Sequence, residues 1–237
     1  MDIEGTTTPI DFVHHTLFGY ARARVSDFLE RHWNDPEVLA DVEQLQAEYS
    51  AQASEATTSP PSPPSPPSPP SLTDYIHWLM DQDRKSTGLK SLQGKIWDEG
   101  YRSGELRGEV YPDVPVAMER WRRDGIEIAI FSSGSVQAQR SLFSTTPAGD
   151  LTRFIKAYFD TTTGPKGAPE SYTRIAAALG HPASRVLFLS DVTAELDAAR
   201  AAGMQTGLCV RSPDSVPPSG GHPVIHDFER LPVVFGS

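Results

Sequence analysis

Apolar positions follow two different regimes along the chain. From about residue 126 onward, short continuous apolar runs alternate with stretches whose apolar residues recur at a spacing near 3.6. Residues 126–131, 185–189 and 206–210 read as buried strands, and 136–143, 172–179 and 194–202 as helices. Gly180 and Gly203 supply stop signals after two of those helices. Repeated strand, helix, strand predicts an α/β fold with a parallel sheet covered by helices on both faces.

Upstream, 10–108 holds helical patterns and almost no strand candidates. Phe12, Leu17, Tyr20, Val25, Phe28 and Leu29 predict one amphipathic helix. Tyr75, Trp78, Leu79, Leu92, Ile96, Trp97 and Tyr101 predict two more. The expected organisation is a core formed by 1–9 and 109–237, with 10–108 inserted as an α-helical cap. Inside the cap, 59–71 is a tandem Ser-Pro-Pro tract, expected to be a linker of polyproline II geometry because proline cannot continue a helix. Its Pro-x-x-Pro arrangements would suit a proline-recognising domain, and a plain solvated loop is the simpler reading.

Composition narrows the classes. The 237 residues are 38% hydrophobic and 22% charged, with 21 prolines and a formal net charge of −10. No Lys/Arg-rich run could neutralise a phosphate backbone, so nucleic acid is not an expected partner. No apolar segment is long enough to span a bilayer, which predicts no membrane association and a cytoplasmic chain, with the nucleus also open to it. The single cysteine, Cys209, lies in an apolar run and reads as a core residue.

Candidate chemistry gathers at predicted strand ends. Asp2 and Glu4 are two positions apart, so in extended chain both project to one side, and Gly5 then allows a sharp turn. An acidic, frayed terminus is the plain alternative. After the strand at 126–131 comes Ser132-Ser133-Gly134-Ser135, where hydroxyls and the N–H groups of a helix start could bind phosphate oxygens, or where Ser135 could simply cap the helix. Lys166, between Gly164-Pro165 and Gly167, is presented from a constrained turn and could reach a phosphate, although a solvated surface is the usual fate of lysine. Ser190-Asp191 ends the apolar run 186–189, with Glu195 four residues on; Asp191 could serve a site or cap a helix, a task Thr193 could also perform. In open α/β sheets the crevice beyond the carboxyl ends of strands is the usual ligand site, where Asp2, Ser132, Lys166 and Asp191 could converge.

The order Asp-x-Glu-Gly-Thr, strand-Ser-Ser-Gly-Ser, an isolated Lys, and strand-Ser-Asp-x-x-x-Glu resembles the four motifs of the haloacid dehalogenase superfamily. More narrowly, Asp2-Ile3-Glu4-Gly5-Thr6-Thr7 with Pro9-Ile10, the run 131–136, the run 187–191, and Gln93-Gly94 with Trp97 are similar to the enolase-phosphatase (acireductone synthase) family of methionine salvage. The likeness spans nearly the whole chain outside the Ser-Pro-Pro tract. It implies a Rossmann-like core with a helical cap, and a monomer that acts on a small phosphorylated diketone.

That resemblance also implies roles. Asp2 would be the nucleophile that carries the phosphoryl group, and Glu4 the general acid and base. The Asp2 and Asp191 carboxylates with the Glu4 carbonyl would hold Mg²⁺. Ser132 and Lys166 would bind the phosphoryl oxygens, Ser133 would touch substrate, and Glu195 would support the metal site or orient its loop. In the family the nucleophile ends a central apolar strand, whereas only Met1 precedes Asp2 here. That strand is expected to be absent, leaving unpaired neighbouring edges and a nucleophile that frays with the terminus.

Overall fold

Ile128-Ala129-Ile130-Phe131 forms β1 (Ile128–Phe131), shorter than its apolar run because Ile126 and Glu127 are exposed. In a computed structural model of the chain, which describes residues 1–52, 68–82, 84, 86–212, 219–229 and 231, the expected alternation of strands and helices follows from there. The remaining strands are β2 (Ile155–Phe159), β3 (Leu187–Ser190), β4 (Gln205–Cys209) and β5 (Val224–Ile225). They pair in parallel as two sheets, β1-β2 and β3-β4-β5. The intervening helices are α5 (Asp113–Arg123), α6 (Val136–Ser144), α7 (Pro169–Leu179) and α8 (Thr193–Ala201).

The chain divides into two compact units, Met1–Val13 with Arg107–Ser237, and His14–Leu106. In the first, α8 packs on β3 and β4, α5 on β1 and α6 on β2. Its core gathers Phe131, Tyr172, Ile175, Phe188, Leu196 and Leu208. Phe131, Tyr172 and Phe188 meet edge-on or tilted, with centroids 4.9 to 6.4 Å apart, the geometry favoured by ring quadrupoles.

Met1 and Asp2 lie between the two sheets. The Met1 nitrogen donates to Ala129 O at 2.9 Å, Phe131 N donates to Met1 O at 3.0 Å, and Asp2 N donates to Leu189 O at 2.9 Å. The expected fraying is therefore corrected: these two residues are bonded to β1 on one side and β3 on the other, and Asp2 is 4% exposed. Beyond them β1 and β3 face each other across a half-open groove of about 610 Å³, lined by Trp121, Ile128, Ile175, Leu187, Leu189 and Met204 among others.

The second unit is helical: α1 (Phe18–His32), α2 (Pro36–Gln52), α3 (Pro69–Asp81) and α4 (Thr87–Ser103). Residues 12–17, expected at the start of one helix, form a wide π-helical turn before α1. The helices bury Val25, Phe28, Leu45, Tyr75, Leu79 and Leu92 together. Ser86 caps α4 by accepting from Leu89 N, and Gly104 closes it with φ 79°, a conformation that favours glycine. The Ser-Pro-Pro tract lies outside the described residues at 59–67. Its end departs from the expected extended geometry, because Pro69 to Ser71 begin α3, where a proline's missing N–H costs nothing. Among the described residues no helix is long and apolar enough to cross a membrane.

Candidate active site

The segment after Asp2 closes on itself. Thr6, Thr7 and Thr8 all donate backbone N–H groups to Ile3 O, Gly5 N donates to Thr8 O, and the Thr7 hydroxyl lies within bonding distance of the Asp2 and Ile3 carbonyls. Gly5 has φ 65°, and a Cβ there would run into the Asp191 carboxylate. Glycine is thus required twice, for the turn and for the approach of Asp191. Glu4 is half-buried on this turn and bridges to Thr8.

Lys166 reaches the same place from the loop before α7. Tyr172 Oη donates to Lys166 O at 2.7 Å and Ser171 Oγ to Pro165 O at 2.7 Å, so the core-packed start of α7 fixes the loop. The Lys166 ammonium lies 2.7 Å from Asp2 Oδ1 and 2.8 Å from Glu195 Oε2. Burial alone would lower its pKa, but the two carboxylates outweigh that and hold it above the usual lysine value, so it stays charged.

Asp191 and Glu195 follow β3. Val192 is the N-cap of α8 and offers no side-chain cap bond, and the Ser190 hydroxyl accepts from Val192 N at 3.1 Å and donates to Glu195 Oε2 at 2.8 Å. Burial, then the charge of Asp2, pushes the Asp191 carboxyl up to about 7, and the same two causes raise Glu195. Asp191 Oδ1 is buried with no hydrogen-bond partner among the described residues. Two carboxylates, Asp2 and Glu195, thus pair with the Lys166 ammonium, while Asp191, close enough to feel the charge of Asp2, has an orphaned oxygen that a bound cation would satisfy. Three or more His, Cys, Asp or Glu side chains do not converge as a ready-made metal cluster among the described residues. Two carboxylates and a carbonyl fit Mg²⁺ instead, since that ion keeps several waters.

Ser132 follows β1, its N–H donating to Phe159 O at 3.1 Å and its buried hydroxyl accepting from Gly134 N at 3.2 Å. Ser133 beside it is exposed, and Ser135 caps α6 by accepting from Ala138 N. Gln139, not singled out from the sequence, straps this loop: its buried amide donates to Gly134 O at 2.8 Å and Phe159 O at 2.9 Å. A polar residue on the inward face of α6 was the available signal. The structure brings Asp2, Lys166 and Glu195 into direct contact, places Asp191 near enough for the charge of Asp2 to act on it, and sets Ser132 just beyond β1.

The chain belongs to the haloacid dehalogenase-like hydrolases, whose family model matches residues 1–203. Parallel sheets with helices covering both faces are those of that class. More narrowly, it is similar to curated enolase-phosphatase E1 proteins. That of Synechococcus elongatus is 51% identical over 231 residues, 98% of this chain and 95% of the relative, and that of Sorangium cellulosum is 47% identical over the same span and shares. Among solved structures, the UTR4 protein of Saccharomyces cerevisiae superimposes with a TM-score of 0.73 at 35% identity, covering 96% of each chain.

Proposed function

We propose that this chain is a Mg²⁺-dependent enolase-phosphatase, converting 2,3-diketo-5-methylthiopentyl-1-phosphate to the acireductone and phosphate in methionine salvage. The single observation that carries the phosphoryl chemistry is the Lys166 ammonium held between the Asp2 and Glu195 carboxylates, 2.7 and 2.8 Å away, with Asp191 alongside. The substrate follows from the resemblance to enolase-phosphatase E1 over 98% of the chain.

In this reading Asp2 attacks phosphorus and carries the phosphoryl group, which splits one hard hydrolysis into two easier transfers. Glu4 protonates the leaving oxygen and then takes a proton from the attacking water. Lys166 and Ser132 hold the transferring oxygens where negative charge builds up, and Ser133, exposed beside them, contacts the substrate body. Asp2, Asp191 and the Glu4 carbonyl hold Mg²⁺, which when bound neutralises charge on the phosphate and offsets repulsion between the two aspartates. The helical segment 10–108 is the expected cap, which would exclude water and recognise the methylthio tail. The chain works as a monomer on a small phosphorylated molecule.

Phosphate release from the diketone with and without Mg²⁺, beside a panel of other phosphate esters, tests the reading. Asp2→Asn is expected to abolish turnover in every case. Release from the other esters but not the diketone would reduce the reading to a phosphatase of different substrate, and Mg²⁺-independent release would overturn the mechanism.

A further inference from the structure

Arg211 touches none of the acids, yet it holds the turn that carries two of them. It follows β4, and its side chain is only 7% exposed. The guanidinium is sandwiched between aromatic rings, 4.5 Å from the Tyr111 centroid and 4.1 Å from that of Phe228. Nε donates to Thr6 O at 2.9 Å, and NH1 lies 2.8 Å from Asp113 Oδ2 at the start of α5. The same Asp113 oxygen accepts from Phe228 N at 2.7 Å, and Tyr111 N donates to Thr7 O at 2.9 Å.

These contacts set a direction of dependence. Most hydrogen bonds of the turn are internal, closing onto Ile3 O and Thr8 O, and internal bonds fix its shape without fixing where it stands. The bonds from Arg211 and Tyr111 to the Thr6 and Thr7 carbonyls come from outside and anchor it to the rest of the unit. Gly5, next to Thr6, is the residue against which the Asp191 carboxylate rests, so a shift of Thr6 alters the spacing of Asp2, Glu4 and Asp191. A planar guanidinium can give one edge to Thr6 and another to Asp113 while stacking on both rings; an ammonium cannot do all three.

We infer that Arg211 is a positioning residue for the phosphoryl-transfer site, fixing the 3–8 turn against α5 and the segment around Phe228. The inference rests on the phosphatase reading for its kinetic consequence alone. Displacing reacting groups by a fraction of an ångström to an ångström costs turnover up to roughly 100-fold without a matching loss of substrate binding.

The test compares Arg211→Lys, which keeps a cation for Asp113, with Arg211→Met. Steady-state phosphate release from the diketone is read together with amide hydrogen exchange of the 3–8 segment. Both variants are expected to lower kcat by about 10- to 100-fold with KM within about threefold. Exchange at Gly5 to Thr8 should quicken in both, while 113–123 in Arg211→Lys exchanges as in the parent chain. Unchanged exchange in the 3–8 segment, or a folded Arg211→Lys with its kcat intact, overturns the inference. A parent chain that releases no phosphate overturns the functional reading instead, and the exchange comparison then decides the inference by itself. If Arg211→Met does not fold, the lysine variant carries the same comparison.

Discussion

The Lys166 ammonium lies 2.7 Å from Asp2 Oδ1, with the two side chains 13% and 5% exposed. A charge pair so well removed from water is held by partners on every side and cannot lose one member cheaply. Lys166→Met should therefore reduce stability by about 3 kcal/mol, because Asp2 and Glu195 are left facing each other without a cation. Phosphate release should fall by about 100- to 1,000-fold. Denaturant unfolding and steady-state kinetics check the two effects separately.

Glu195→Gln keeps the side chain's shape and removes its charge. Burial and the neighbouring Asp2 already disfavour that charge, so thermal stability is expected to hold or rise. Turnover should nevertheless drop about tenfold, since Lys166 loses one of the two carboxylates that aim it. A variant as active as the parent would remove Glu195 from the positioning of Lys166.

Gly5→Ala places a methyl group where the Asp191 carboxylate lies and forces φ 65° on a residue that avoids it. The conformation alone costs about 1–2 kcal/mol. Melting temperature should decline accordingly, and activity should vanish because Asp191 must move. Retained activity would show that Asp191 has freedom to shift.

Mg²⁺ is expected to raise the melting temperature of the parent chain and much less that of Asp191→Asn. At 100-fold excess over the dissociation constant the parent should gain about 2.7 kcal/mol. Asp191→Asn should be the more stable of the two in chelator, because the burial of its charge and its repulsion by Asp2 are relieved. Equal Mg²⁺ stabilisation of both would exclude Asp191 as a ligand.

The groove between β1 and β3 presents two strands to one largely apolar space of about 610 Å³. An extended apolar segment of about five or six residues joined ahead of Met1 has the length to lie between them. Burying two or three large side chains there, at about 1.5–3 kcal/mol each, should raise the melting temperature by more than about 5 °C. Differential scanning calorimetry of the extended and parent chains, beside an equally long Gly/Ser extension, measures it.

The strands β1 and β3 were legible as mainly apolar runs bounded by polar turns, and β4 from the apolar residues Leu208, Cys209 and Val210 at and just past its end. β2 was not, since Lys156 is exposed and most of the strand is only half-buried, which erases the run. β5 is two residues long and carries no pattern of its own. In α2 only a narrow face of Val38, Val42 and Leu45 is buried beneath many polar residues, and α5 hides Val114, Ala117, Met118 and Trp121 among arginines and acids. Of the site, the acids and Lys166 were visible as polar residues stranded at the ends of predicted strands and turns. The pairing of Lys166 with Glu195 and the strap from Gln139 were not, because both depend on how α7, α8 and α6 pack.

The hydrogen bonds of Met1 and Asp2 to β1 and β3 make the backbone of these two residues a seam between two sheets that no described strand pairing otherwise joins. Mechanical or thermal stress that parts this seam displaces the Asp2 carboxylate before either sheet need come apart. Enzymatic output should then fade at milder stress than circular dichroism or tryptophan fluorescence can register, so that turnover becomes the earliest gauge of damage to the fold.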